Sequence, residues 1–289
     1  EPGECGKESE ITLTDMREYV GRYKEGEISE EELTALENSA CPGPGSCAMM
    51  GTANTMASMA EALGVTLPYS ATASAVSSQR RSIAKETGKT ILELVEKDIK
   101  PSRIVTENSI VNATKVCMAL GGSTNSFLHI PAIAYERGLE ITAKELGEIS
   151  SSTPYLTNIK PSGGHSMDKL HKAGGIPALM KNMEKLLDLD CESVNGEKIG
   201  EIVSEAEIIS SAVIKSVENP IYDEGSVAVL DGNLAPEGAV IKQTAVEQSM
   251  RVHTGPAKVF DSMEDSIDAL MNDRIDEGDV VVIRYEGPV

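Results

Sequence analysis

The sequence predicts a mixed α/β fold in which a helix-rich first part is followed by a β-rich, barrel-like second part. Three observations carry this. Apolar residues recur at helical spacing from about residue 11 to residue 187, the 3.6-residue period of buried helix faces. After Cys191 the texture changes to short runs rich in Val and Ile separated by turn residues, which reads as strands. Aromatic residues are 3% of the chain and Trp is absent, so the core must be built from Ala, Val, Ile, Leu and Met. At 289 residues the chain has room for two domains of roughly 150 residues each. We expect a partial helix-rich α/β domain over residues 1–190, a linker over 191–211 and a partial β-barrel-like domain over 212–289, with too few strands to close a barrel or cover both edges.

Two helices open the chain, one beginning at Thr14-Asp15-Met16 and one capped by Ser29 with Glu32 three residues on, the reciprocal pattern of a capping box. Cys41-Pro42-Gly43-Pro44-Gly45-Ser46-Cys47 then stops helical structure, because its prolines and glycines cannot continue a helix. A buried helix follows from Thr52 to Leu63. Further helices are predicted over 74–87, 90–97, 106–120, 126–137, from 141, over 167–173 and over 176–187. Strands are predicted over 207–217, 226–230, 239–242, 257–260 and 280–285, interrupted by one helix over 262–272 that Ser262 and Asp265 cap.

Forty-six acidic residues against 26 basic ones leave a net charge of -20, which repels nucleic acid and anionic membranes. We expect neither as a partner. A small anionic substrate would need a local positive centre to enter that field. No apolar run reaches the roughly 18 residues of a membrane span, and Glu1-Pro2-Gly3-Glu4 does not begin a signal peptide; a cytoplasmic protein is expected. Five scattered cysteines, Cys5, Cys41, Cys47, Cys117 and Cys191, fit reduced thiols better than a disulfide framework.

The Cys41–Cys47 loop is the most distinctive chemical feature. A thiolate in a Gly/Pro-rich loop ahead of a helix is favoured by the positive helix end, and Cys47 is the better placed of the two. Residue types alone leave two readings open, a buried structural thiol, which is the commoner fate of a free cysteine, and a metal ligand. Gly121-Gly122-Ser123-Thr124-Asn125 is either a tight turn between helices or a cradle for a carboxylate or phosphate. The loops Pro161-Ser162-Gly163-Gly164-His165-Ser166 and His253-Thr254-Gly255-Pro256 present histidines that are solvated or functional. His129 and His171 lie within helices and read as structural. No serine-nucleophile motif, phosphate-binding Walker loop or His-Glu-x-x-His pattern is present.

Taken together, the ordered blocks Cys41 to Cys47, Thr52 to Met56, Glu61 to Gly64, Leu120 to Asn125, Ala173 to Leu179, Gly232 to Pro236, His253 to Phe260 and Gly278 to Pro288 resemble the dehydratase family of dihydroxy-acid, 6-phosphogluconate and sugar-acid dehydratases. The resemblance runs from about Ile11 to Pro288. It implies a hydro-lyase that converts a 2,3-dihydroxy carboxylic acid to a 2-keto acid, with an iron–sulfur cluster (2Fe-2S or 4Fe-4S) whose open iron acts as Lewis acid and Mg²⁺ holding the substrate. Dihydroxy-acid dehydratase of branched-chain amino-acid synthesis is the leading expectation; a sugar-acid or 6-phosphogluconate dehydratase is the alternative, kept by Leu67-Pro68-Tyr69-Ser70-Ala71-Thr72, which departs from the family's usual segment. The resemblance also implies a homodimer. Carried over residue by residue, the second cysteine of the Cys-Pro-x-x-Gly-Ser-Cys motif, Cys47, is a cluster ligand, and Cys41 is its loop partner. No catalytic residue is assigned: the other cluster cysteines, the Mg²⁺ ligands and the serine base of such enzymes are expected outside these residues. A catalytically silent piece acting as a binding or dimerisation domain is the reading from a different class.

Overall fold

A computed structural model describes residues 2–6 and 8–287. The chain forms two compact units, one up to Ala245 and one from Val246.

In the first unit β1 (Gly3–Cys5) and β2 (Glu8–Ile11) form an antiparallel pair. Helices α1 (Leu13–Lys24) and α2 (Glu30–Ala40) pack beside it around Ile11, Tyr19, Leu36 and Ala40. The capping box at Ser29 and Glu32 forms as the sequence predicts, whereas α1 is capped by Thr12 with Asp15, slightly before the expected start. Lys160 joins this corner to the rest of the unit by bonds of 2.9 Å to the Asp15 carboxylate and the Glu10 carbonyl.

The main core is helical. It comprises α3 (Thr52–Ala62), α4 (Ser78–Glu96), α5 (Pro101–Ile104), α6 (Glu107–Leu120), α7 (Ser126–Glu136), α8 (Ala143–Ser151), α9 (Met167–Lys172), α10 (Gly175–Asn182) and α11 (Ile199–Glu205). Helix α6 is the axis, and Val116, Cys117, Met118, Ala119 and Leu120 are wholly buried, with α3, α7, α8 and α10 packed around it. From Val116 to Leu120 the helix is apolar around the whole turn, as such a position requires. Its one strongly polar interior residue, Asn112, is satisfied in both directions by Asp188, donating to the carbonyl at 2.8 Å and accepting from the N–H at 2.9 Å.

Residues 74–97, expected as two helices, form the single α4 behind a Ser77 cap. Gly88 and Lys89 lie between the two expected helices, but a helical glycine costs only about 1 kcal/mol relative to alanine and does not by itself end a helix. The predicted strand over 207–217 is also not formed. Its Val213 and Ile214 are buried beneath residues 156–158, where Asn158 donates to the Val213 carbonyl and Lys215 to that of Leu156; core packing takes them as an irregular arm. The antiparallel hairpin β3 (Ala228–Leu230) and β4 (Ala239–Ile241) completes the unit against α8.

In the second unit β5 (Ala257–Phe260) and β6 (Val280–Ile283) pair in parallel, Ala257 opposite Val280, with α12 (Met263–Met271) as the crossover. A parallel pair requires such a crossover. The fold is thus mixed α/β and helix-rich, and the strands form two-stranded sheets; no barrel closes among the described residues. No described helix is long and apolar enough to cross a membrane.

Candidate functional site

The first turn of α3 organises the surroundings of Cys47. The loop 41–51 carries its own curvature, with Gly45 at a φ of +121° and so close to Ala75 that a Cβ would meet its side chain at 2.9 Å. Asn54, buried in that first turn, donates to the carbonyls of Cys47 at 2.5 Å and Met49 at 2.7 Å. Ala48 and Met50 are held from the other side by the backbone of Met167 and Lys160. Cys47, half-buried, lines a cavity of about 190 Å³ shared with Asn54, Thr72, Arg80 and Asp168. A cavity lining with polar side chains and a pinned backbone present Cys47 to a formed cavity from a fixed loop. Cys117 and Cys191 are buried, and burial pushes both thiols up to about 11. Cys41 is the C-terminal cap of α2 and is exposed.

One wall of that cavity, residues 71–75, is braced by a carboxylate. Glu61 lies buried in α3 and accepts the backbone N–H groups of Tyr69 and Ala71, each at 2.7 Å. Burial outweighs these two bonds and pushes its carboxyl up to about 7. Arg80 donates to the Ala73 carbonyl at 2.5 Å. Thr72 and Gln79 hold the two ring nitrogens of His171 at 2.8 and 2.9 Å, so this histidine is structural, as its sequence position suggests.

The Glu61 carboxyl sets a pH dependence of known sign. A carboxyl whose folded value is raised from 4.5 to about 7 holds its proton more tightly in the folded state, so the stability it contributes is complete below 4.5 and is lost as pH rises through 7. The difference in unfolding free energy between the parent and Glu61→Gln should therefore shift by about 3 kcal/mol between pH 4.5 and 8. Denaturant melts across that range check it, and a difference independent of pH would show that Glu61 is ionised throughout.

The Gly121–Asn125 loop is tied to the same helix turn. Gly121 adopts φ +80° as the left-handed cap of α6, and the Ser123 N–H donates to Thr55 Oγ1 at 3.0 Å. Thr52 Oγ1 sits 3.2 Å from Ser123 Oγ and accepts from Asn125 Nδ2 at 2.7 Å. On its far side, Lys242 Nζ donates to the Gly121 carbonyl at 2.9 Å. Thus α3 fastens two sequence-predicted features, the Cys47 loop and the Gly-rich loop, to one turn. His165 is half-buried and pairs through its backbone with Asn158. His129 is exposed on α7. His253, in the second unit, bonds the Gly278 carbonyl at 2.9 Å. Asn54, Glu61 and Lys242 are not singled out by the sequence; the available signals are a polar residue in the first turn after a Gly/Pro loop and a glutamate flanked by Ala60 and Ala62 in an otherwise uncharged helix.

Among the described residues no three His, Cys, Asp or Glu side chains converge to hold a metal ion. What this chain offers an iron–sulfur cluster is one fixed thiol at a cavity, which fits one ligand position.

Known proteins account for these blocks. The description "Dihydroxy-acid/6-phosphogluconate dehydratase N-terminal" matches residues 2–202, and its C-terminal counterpart matches residues 212–289. The chain belongs to the dihydroxy-acid/6-phosphogluconate dehydratase family. Within that family it is 49% identical over 280 residues to dihydroxy-acid dehydratase 1 of Methanosarcina acetivorans, covering 96% of this chain and 51% of that protein. It is 48% identical over 288 residues to the dihydroxy-acid dehydratase of Methanothermobacter thermautotrophicus, covering 99% and 52% respectively. With that of Acetivibrio thermocellus it shares 50% identity over 280 residues, covering 96% and 50%. The chain spans about half the length of these curated relatives.

Proposed function

We propose that this chain carries part of the active site of a dihydroxy-acid dehydratase, a hydro-lyase converting a 2,3-dihydroxy carboxylic acid to a 2-keto acid in branched-chain amino-acid synthesis. The observation that carries it is the near-half identity, over almost the whole chain, to proteins named dihydroxy-acid dehydratase. The pinned thiol of Cys47 beside a polar cavity agrees with it. In net terms the reaction removes the C2 proton and the C3 hydroxyl, and the resulting enol tautomerises to the keto acid.

Cys47 would hold an iron–sulfur cluster, either 2Fe-2S or 4Fe-4S, which when bound supplies a Lewis acid for the departing hydroxyl, and Mg²⁺ would neutralise the substrate carboxylate. Asn54 fixes the backbone from which Cys47 projects, so the thiol is placed before any ligand arrives. Glu61 and Arg80 hold residues 69–73 as the facing wall. A cytoplasmic homodimer, each chain carrying a linker over residues 191–211 between its two domains, completes the proposal; the segments matched by the two family descriptions meet across 203–211.

Full-length protein assayed on 2,3-dihydroxyisovalerate, gluconate, arabinonate and 6-phosphogluconate should turn over the first. Turnover of only the sugar acids would overturn the assignment of substrate within the family. Iron and acid-labile sulfide in anaerobically purified full-length protein test the cluster separately.

A further inference from the structure

We propose that α4 is the contact face between two copies of this chain, the two helices lying antiparallel about Gly88. This rests on the homodimer of the reading above and names the surface that makes it. Helix α4 runs for 19 residues, and none of them is buried. Helices in globular proteins draw most of their stability from packing an apolar face, and α4 carries one that nothing covers among the described residues. Ala84, Ile91 and Val95 recur at helical spacing along one side and wall a groove of about 1000 Å³ against Val65, Ile104 and Val194. Ile91 and Val95 remain 54% and 73% exposed, with Leu92 beside them at 64%; an apolar surface of this kind marks a docking site.

The charges on α4 say what docks there. Lys89 pairs with Glu86 and Lys97 with Glu93, whereas Arg81, Lys85 and Glu96 form no ion pair among the described residues. Arg81, Lys85, Gly88, Leu92 and Glu96 follow one another at three- and four-residue steps, so they share a strip of surface next to Ile91 and Val95. The strip is positive at one end and negative at the other. Arg81 stands seven residues before Gly88 and Glu96 eight after it, about 10 and 12 Å along the axis. A second α4 turned by a two-fold axis through Gly88 therefore brings the partner's Glu96 to Arg81 and the partner's Arg81 to Glu96, one contact made twice, as an isologous interface requires. Ala84 and Leu92 each lie four residues from the centre and meet across the axis in the same way, small against large.

Gly88 occupies the centre of this strip for no reason within its own chain. A Cβ there would meet nothing within 4 Å, and a glycine inside a helix is destabilising relative to alanine. On the two-fold axis its bare Cα lets two helix backbones approach without a side chain between them. Charge also fixes the direction, because parallel helices would set Arg81 beside the partner's Arg81 and Glu96 beside the partner's Glu96. A cover of unrelated sequence needs neither charges placed symmetrically about one residue nor a glycine at their centre.

The test is the dimer dissociation constant of full-length protein, measured by fluorescence-detected sedimentation at low salt. Arg81→Glu and Glu96→Arg each set like charges at both symmetric contacts and should raise that constant at least about tenfold. The double variant exchanges the two charges and should return to within about threefold of the parent, as a double-mutant cycle on a true pair does. Gly88→Leu fills the axis and should weaken association by about tenfold or more; leucine is the better helix former, so that loss is not unfolding. Arg81, Gly88 and Glu96 are all exposed, and thermal melts of each variant confirm the fold. Single variants that associate like the parent overturn the α4 face, and so does a double variant no tighter than the single ones, which would assign the groove to a segment of different sequence. A monomeric parent overturns this face and the homodimer together. Turnover of the dihydroxy acid, read on the same samples, separates the remaining case: a parent that dimerises through α4 without turnover overturns the dehydratase reading alone.

Discussion

Cys47→Ser in the full-length protein should abolish both bound iron and turnover, while Cys41→Ser should keep most of each. Serine replaces a soft thiolate with a hard, protonated hydroxyl, and iron–sulfur clusters select thiolate. Loss of activity should exceed about 100-fold, because even outer partners of metal ligands are typically worth 10- to 100-fold. The two cysteines differ in how they are held. Cys47 lines the cavity of about 190 Å³, and its carbonyl is bonded by Asn54. Cys41 is an exposed terminal cap of α2, where serine is easily accommodated. Iron and acid-labile sulfide per chain, the visible absorption of the anaerobic protein and turnover are the measurements. Equal iron loss in both variants, or loss only in Cys41→Ser, would place the ligand on the wrong sulfur.

Legibility from sequence followed the range of the interactions. The caps at Ser29 and Ser262 and the left-handed Gly121 depend on neighbours three or four residues away, so the linear pattern contains them. The helix over 106–120 was equally visible, but its burial was not read from the sequence, although residues Val116 to Leu120 are apolar around the whole turn. Residues 207–217 were misread for the opposite reason. Their β-branched composition favours a strand, but the pairing stops at one antiparallel bridge, Ile214 opposite Thr157, where Val213 and Ile214 are buried in the core. Gly88 shows a related limit: a propensity cost near 1 kcal/mol is outweighed by the continuity of the turns on each side. Within the site, Cys47 stood out by its loop; Asn54 and Glu61 bond backbone groups within ten residues of themselves, but those partners are carbonyls and N–H groups that no residue type marks, and Lys242 acts across a distance that no local pattern encodes. Lys242 reaches Gly121 over 121 positions, and its partner is a backbone carbonyl, which any residue supplies.

Gly122→Ala should destabilise the first unit by about 3 kcal/mol, near the upper end of overpacking in a filled core. The Gly121–Asn125 loop approaches α6 so closely that a Cβ on Gly122 would lie 2.3 Å from Cys117 Sγ, 3.0 Å from the Cys117 carbonyl and 3.1 Å from Thr55 Cγ2. Cys117 is wholly buried and cannot swing aside. The backbone must yield, and it is held by the 2.9 Å bond from Gly122 N–H to the Cys117 carbonyl and the 3.0 Å bond from Ser123 to Thr55. In a unit of this size the loss should lower the melting temperature by roughly 6–12 °C. Because the shortest contact is with a single sulfur atom, removing that atom should recover part of the loss. Cys117→Ala alone should cost about 1–2 kcal/mol through the cavity it opens, and the double variant should fall well short of the sum, since the new methyl occupies the space the sulfur vacates. Full recovery is not expected, because the carbonyl contact at 3.0 Å remains. Thermal melts of the four proteins complete the cycle. Strict additivity would mean that the loop moves away from α6 as a whole, and that the close packing of Gly122 on Cys117 does not fix the position of Ser123 beside Thr55.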